Sequence, residues 1–220
     1  MKKSIIITAG GIGKRMGGEL PKQFLLLGAK PVLIHTLERF FDFDPSAQII
    51  VTLPKDWVTF WKELLVQFNI RIPHELVDGG TERFHSIQNA LAICNGDQIA
   101  IHDGVRPLVS LETIARCFEG LKTSKAVVPV LHLKDSLRMG TLENSESVDR
   151  SLHYLVHTPQ CFEASILQKA YERGYQAHFT DDASVVEEIG IGPLLVLSNE
   201  ENMKITSQID LKILHALLEP

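Results

Sequence analysis

Short, unbroken runs of β-branched and aliphatic residues, separated by amphipathic stretches, constrain this chain more than any other feature. Ser4–Thr8 (SIIIT), Gln48–Leu53 (QIIVTL), Gln98–His102 (QIAIH), Ala126–Leu131 (AVVPVL) and Leu194–Ser198 (LLVLS) are apolar almost throughout. That pattern fits strands covered on both faces, as in a parallel sheet. Between them the apolar residues shift to helical spacing: Leu33, Leu37, Phe40 and Phe41; Leu111, Ile114, Ala115, Phe118 and Leu121; Leu211, Leu214, Leu217 and Leu218. The alternation predicts an α/β fold, a doubly wound, mostly parallel Rossmann-like sheet whose ligands bind beyond the carboxyl ends of the strands. With 220 residues and no internal repeat, low-complexity tract or linker, the chain is expected to form one domain, 1–220.

Composition narrows the classes of function. Apolar residues make up 45% and charged residues 22%, which excludes disorder, collagen and coiled coil. With 22 Lys and Arg against 27 Asp and Glu, the net charge is −5. The whole molecule therefore has no attraction for nucleic acid or an anionic membrane, and any anion site must be a local concentration of cations. No uncharged apolar stretch approaches the ~18–20 residues of a membrane span. Lys2-Lys3 followed by Ser4–Thr8 has a faint signal-peptide look, but its short apolar part and the nearby Lys14-Arg15 fit a first strand better. Cys94, Cys117 and Cys161 form neither a disulfide framework nor a C-x-x-C pair, and read as thiols of a reducing cytoplasm.

The region His132–His157 breaks the rhythm with charges and small polar residues and no helical period. It reads either as a surface loop or as a β-arm insertion at about 132–157. In the arm reading, Leu133–Met139 pairs with Val148–Val156 around a turn near Glu143-Asn144-Ser145. An isolated two-stranded arm is marginal in water and calls for a partner chain.

The segment Ala9-Gly10-Gly11-Ile12-Gly13-Lys14-Arg15-Met16-Gly17 directly follows the first predicted strand, with Pro21-Lys22-Gln23-Phe24 close behind. Glycines at such a place let backbone N–H groups converge on a phosphate. A Walker loop would need Gly and Ser or Thr where Thr8 and Arg15 stand, and a dinucleotide fingerprint from Gly11 would need Gly where Met16 stands. What remains is a glycine turn with three cations, Lys14, Arg15 and Lys22, against one acid, Glu19.

Six motifs in order carry a resemblance. A-G-G-x-G-x-R-M-G with P-K-Q-F resembles the signature of cytidylyltransferases within the nucleotidyltransferases, and is most similar to the 2-C-methyl-D-erythritol 4-phosphate cytidylyltransferase family. Val77–Ile87 (VDGGTERFHSI) resembles the second nucleotide loop of that family, and His102–Pro107 (HDGVRP) its H-D-x-x-R-P loop. Val148–Arg150 and Thr158–Gln160 fit the arm and its return; Thr180–Ser184 (TDDAS) and Asn202–Thr206 (NMKIT) complete the set.

The resemblance implies one nucleotidyltransferase domain in which a sugar-alcohol phosphate attacks the α-phosphorus of CTP and expels pyrophosphate. Bringing two polyanions together is work for fixed cations and a metal. It puts Arg15 and Lys22 on the CTP phosphates, Lys204 near the reacting phosphates, and the glycine turn (Gly11, Gly13) around the triphosphate. Ala9, Gly10, Gly80 and Ser86 would meet the cytosine. Thr81 is counted with the nucleotide contacts although it stands where an acid is expected, and Gly104-Val105 stands where two alanines are common in the family. Asp103 is implied in nucleotide, acceptor and Mg²⁺ contacts; a metal of this kind takes phosphate and one or two carboxylate oxygens. Arg106 suits phosphate or bracing the loop. Arg106 and Thr158 would lie near the acceptor phosphate, with Ser136 and Arg150 reaching it from the arm of a neighbouring chain in a homodimer. A ribitol 5-phosphate acceptor, or a catalytically silent nucleotide-binding protein, are the competing readings. Weaker signals stay structural: Trp57, Phe60 and Trp61 read as packing, Thr180-Asp181-Asp182 as a helix cap, and the His153/His157 pair lacks a third metal ligand.

Overall fold

The structure is a computed structural model and describes residues 1–11 and 20–218; Gly13 and Arg15 lie outside the described residues. In chain order the first half contains β1 (Lys3–Thr8), β2 (Leu26–Leu27), β3 (Lys30–Pro31), α1 (Val32–Phe43), β4 (Gln48–Leu53), α2 (Val58–Gln67), β5 (Glu75–Asp78), α3 (Arg83–Leu91) and β6 (Gln98–Asp103). The second half contains α4 (Leu111–Gly120), β7 (Ala126–His132), β8 (Leu137–Gly140), β9 (Ser145–Val148), β10 (Tyr154–Val156), β11 (Gln160–Glu163), α5 (Ala164–Tyr171), α6 (Asp182–Glu187), β12 (Leu194–Leu197) and α7 (Gln208–Leu218).

One central sheet runs β5–β4–β1–β6–β11–β7–β12, with β10 lying beyond the end of β11 on the same side of β7. The pairs β1–β4, β1–β6, β4–β5 and β7–β12 are parallel; only β10 and β11 run against the rest. The sheet is mostly parallel because successive strands are joined through helices, which carry the chain back to the same end.

Period-2 alternation divides the apolar strand residues between two cores. Ile5, Ile7 and Val51 face one side, where Leu37 and Phe40 of α1, Trp61 of α2 and Ile114 of α4 pack. Ile6, Ile50 and Ile101 face the other, against Ile87 of α3, Leu167 of α5 and Val186 of α6. Helices therefore cover both faces, which makes the sheet doubly wound. Trp57, Phe60 and Trp61 surround Phe24 with ring centroids 5.3–6.3 Å apart, so these aromatics anchor the Lys22–Phe24 turn by packing. Asp181 caps α6, accepting from Ser184 N while the Ser184 hydroxyl meets the cap backbone.

The arm is smaller than the sequence predicts. Leu137–Gly140 pairs with Ser145–Val148, register Leu137↔Val148 to Gly140↔Ser145, whereas Tyr154–Val156 joins β7 in the main sheet. The side of β7 beyond β11 offers a fixed template for those residues, which a free two-stranded ribbon does not. Among the described residues, no helix is long and apolar enough to cross a membrane.

Candidate active site

The loops after β1, β5 and β6 meet beside the β1–β6 junction, where the chain, having built outward from β1 through β4 to β5, turns back to the other side of β1. Open α/β sheets bind ligands at such a reversal. Here it holds a cleft of about 320 Å³ lined by Ala9, Gly10 and Gly11, by Gly80 and Thr81, and by Lys22, Asp103 and Lys204.

The backbone of this cleft is fixed before any ligand arrives. Ala9 N donates to Thr52 O at 3.0 Å, and Ala9 O accepts from the buried Gln23 Nε2 at 2.7 Å. Gly80 N donates to Ser86 Oγ at 2.9 Å, and the Ser86 hydroxyl reaches Glu82 O at 3.3 Å. A Cβ on Gly80 would stand 2.3 Å from His85 Cβ, so the close approach of loop to helix requires glycine here. A Cβ on Gly10 would lie 3.6 Å from Ser86 Oγ, which shows how near these two predicted base contacts are. Thr81, where the family pattern leads one to expect an acid, has its hydroxyl 3.1 Å from His85 Nδ1.

Asp103, the last residue of β6, is the electrostatic centre. Its Oδ2 accepts from Arg106 Nε at 3.1 Å and pairs with Lys204 Nζ at 3.0 Å, while Arg83 Nε lies 3.6 Å from Oδ1. Burial alone would raise its pKa; the charges of Arg83, Lys204 and Arg106 outweigh that and hold the carboxyl far below the usual range. Lys204 reaches this point because Ile205 N bonds Val105 O at 3.0 Å and Ile205 packs with Val105 and with Leu214 of α7. Lys22 Nζ donates to Ile205 O at 2.8 Å, so the two predicted lysines converge on one short segment.

A second cleft of about 250 Å³ shares Arg83, Asp103 and Lys204 with the first, and adds Arg106, His157 and Thr158. Arg106 is buried and braced, Nε on Asp103 and Nη1 on Asn202 O at 2.8 Å; of the two readings its sequence allows, loop bracing is the one this geometry displays. Thr158 Oγ1 accepts from Asp103 N at 3.1 Å. Ser136 and Arg150 sit exposed at the base of the arm, the Arg150 guanidinium donating to Lys134 O, and neither lines either cleft of its own chain.

Sequence reasoning assigned no role to Arg83, His102 or Asn202, and read Asp182 only as part of a helix cap, which Asp181 supplies. Arg83 spends two nitrogens on the fully buried Asp182, both at 2.7 Å, and Tyr171 adds its hydroxyl to Asp182 Oδ1 at 2.7 Å. Asn202 Nδ2 ties Thr158 O at 2.8 Å. His102 is fully buried, and burial pushes its pKa down to about 3. Arg83 sits inside the quoted T-E-R-F-H-S run, Asp182 inside T-D-D-A-S, and His102 closes the apolar run Gln98–Ile101; those were the available signals. His153 and His157 turn to different partners, Asp149 O and Ser198 Oγ. Among the described residues there is no group of three or more His, Cys, Asp or Glu able to hold a metal.

Comparison with known proteins gives the same result along the whole chain. It is similar to the 2-C-methyl-D-erythritol 4-phosphate cytidylyltransferase of Bacteroides fragilis, 51% identical over 219 residues and covering 99% of this chain and 100% of the relative. The enzyme of that name from Porphyromonas gingivalis (strain W83) is 42% identical, covering 99% and 98%. The solved 4-diphosphocytidyl-2C-methyl-D-erythritol synthase of Anaerococcus prevotii superimposes with a TM-score of 0.86 at 27% identity, covering 100% of this chain and 96% of that one. The bifunctional IspDF of Campylobacter jejuni matches with a TM-score of 0.82 at 28% identity, covering 96% of this chain and 54% of that one. Residues 4–220 match the family model described as IspD: 2-C-methyl-D-erythritol 4-phosphate cytidylyltransferase, and the chain belongs to that family.

Proposed function

We propose that the two joined clefts transfer the cytidylyl group of CTP to 2-C-methyl-D-erythritol 4-phosphate, releasing pyrophosphate, as a step of isoprenoid biosynthesis. The observation that carries this reading is the sharing of Arg83, Asp103 and Lys204 between two adjacent clefts at the reversal point of the sheet. One cleft has backbone groups and a serine hydroxyl for a base; the other is ringed by polar side chains.

In the reaction an acceptor phosphate oxygen bonds to the α-phosphorus of CTP as the bond to the β-phosphate bridge breaks, and the electron pair leaves with pyrophosphate. The attacking oxygen is already ionised near neutral pH, so no strong base is needed. The barrier is electrostatic, and fixed cations lower it where charge accumulates. Lys22 and Lys204 supply them, Arg15 being the third by sequence. Asp103 holds Lys204 in place rather than acting as a base, since its carboxyl is kept ionised. The cytosine rests against Ala9, Gly10, Gly80 and Ser86, with the triphosphate along Gly11 and Gly13.

The donor set fits Mg²⁺ carried mainly by phosphate oxygens. Asp103 Oδ2 is engaged by two cations while Oδ1 has a longer contact to Arg83, leaving one carboxylate oxygen for the ion, which readily takes one or two carboxylates beside phosphates. When bound it would neutralise triphosphate charge.

The chain acts as one nucleotidyltransferase domain paired with a second copy. Support comes from Ser136 and Arg150, which lie outside their own clefts, and from apolar side chains standing exposed on the arm and beside it, Met139, Leu142, Leu152 and Leu155. Free Cys94, Cys117 and Cys161 suit a reducing cytoplasm. The test is pyrophosphate release with CTP, UTP, ATP or GTP, offered methylerythritol phosphate and ribitol 5-phosphate in parallel. Turnover confined to CTP and methylerythritol phosphate is expected. Preference for ribitol 5-phosphate would change the acceptor, and no turnover with either would return the chain to a silent nucleotide-binding role.

A further inference from the structure

The buried imidazole of His102 fixes the direction of a hydrogen-bond chain that ends in the second cleft. Nε2 lies 3.0 Å from Arg106 O and Nδ1 lies 3.0 Å from Thr158 Oγ1. A carbonyl oxygen only accepts, so Nε2 carries the ring proton. Full burial favours the neutral ring; in it Nδ1 accepts, and the Thr158 hydroxyl donates to it. The same Oγ1 already accepts from Asp103 N at 3.1 Å. The chain thus runs from Asp103 N–H to the Thr158 hydroxyl to His102, and from His102 Nε2–H to Arg106 O, with both ring nitrogens satisfied. The Phe40 ring packs edge-on at 4.8 Å between centroids and helps keep the imidazole dry.

We propose that His102 is a positioning residue for the acceptor: by taking the Thr158 hydroxyl proton it leaves Thr158, toward the cleft, only a lone pair. Thr158 then accepts from a hydroxyl of the polyol and is a poor partner for its phosphate, whose oxygens carry no proton to give. This departs from the resemblance, which set Thr158 near the acceptor phosphate. Through Arg106 O the same ring holds the turn that aims Arg106 Nε at Asp103. The inference deepens the proposed reaction, because it takes the second cleft as the acceptor's.

The first measurement needs no substrate. Long-range ¹H–¹⁵N correlation on histidine-labelled protein at neutral pH, with His102 assigned by its shift in Thr158→Val, is expected to show protonated Nε2 and bare Nδ1. A proton on Nδ1 overturns the proposal. The second is kinetic. Thr158→Val is expected to raise KM for the acceptor about tenfold, the scale of one lost neutral hydrogen bond, with CTP affinity held within about twofold and Thr158→Ser recovering most of the loss. His102→Gln, which keeps a donor for Arg106 O but loses the acceptor for Thr158, should raise the same KM. A structural role alone would lower thermal stability and leave acceptor KM unmoved, and that result rejects the proposal. If His102→Gln does not fold, the wild-type spectrum and the Thr158 pair still decide. If the acceptor proves to be ribitol 5-phosphate, the proposed reaction fails but the spectrum, and KM read with that polyol phosphate, still test His102.

Discussion

Asp103 shows how one buried carboxylate can organise the charges around it. Removing a carboxylate from water is costly, and three cations repay that cost only if they converge; here they do, so Lys204 is held at the border of both clefts. Lys204→Ala should therefore lower kcat about 10²–10³-fold, the effect of deleting a preorganised charge donor, with a much smaller change in CTP affinity; steady-state kinetics checks it. Gly80→Ala should destabilise the fold by about 1–3 kcal/mol, the cost of overpacking, because its Cβ would meet His85 Cβ at 2.3 Å; the urea midpoint reads this. Two buried histidines predict acid sensitivity. Burial lowers His102 to about 3 and, with Arg106, His157 to about 4, against an unfolded value of about 6.5. Below that value the unfolded chain binds protons that the folded chain does not, so stability falls as pH drops from about 6.5 toward 4, by up to about 1.4 kcal/mol per pH unit for each group. Asp103, held low in the folded state, extends the loss below its unfolded value. Tm should thus decline through this window, and a flat Tm between about pH 7 and 5 would contradict the assignment. At this scale the sequence exposed residues that line the first cleft, such as Lys22, Ser86 and Lys204. It hid Arg83, Asp182 and Asn202, whose partners are other protein groups far along the chain.

Secondary-structure elements were legible where burial is continuous. β1, β4, β6 and β7 follow the apolar runs, and α1 and α4 the helical spacing, because each packs into a core; β12 and α7 also follow their patterns, but β12 is an edge strand with Leu194, Leu195 and Leu197 exposed, not covered on both faces as its sequence suggests, and α7 buries only Leu214. β5 went unread, since Glu75 and Asp78 give a four-residue edge strand charged ends. β11 went unread because a four-residue strand takes its identity from β6 and β7, not from its own pattern, and β10 was read as a strand of the arm, with the wrong partner. The arm was overextended for the same reason: nothing local says that Tyr154–Val156 pairs with Val130–His132 and not with residues 133–139. Its proposed task has a direct check. Chains carrying Arg15→Ala and chains carrying Arg150→Ala should each be impaired, and an equal mixture, unfolded and refolded together, should regain about a quarter of the parent activity. Half the pairs would be mixed, each with one intact site of two, if the arm crosses a two-fold axis. No recovery would place both residues in one chain's site.

For the whole molecule, a net charge of −5 is compatible with a triphosphate ligand only because the doubly wound sheet gathers distant cations at one end. Lys22 follows β1, Arg83 follows β5 and Lys204 follows β12, yet Lys22, Arg83 and Lys204 border one cleft. That convergence comes from topology, which the strand–helix alternation announced, while its internal ion pairs needed the folded chain. The most direct test is a crystal structure with CTP bound. Cytosine lodged against Ala9, Gly10, Gly80 and Ser86, with Lys22 and Lys204 within hydrogen-bond reach of the phosphates, is the predicted result. CTP seated elsewhere, with both lysines turned to solvent, would contradict the account.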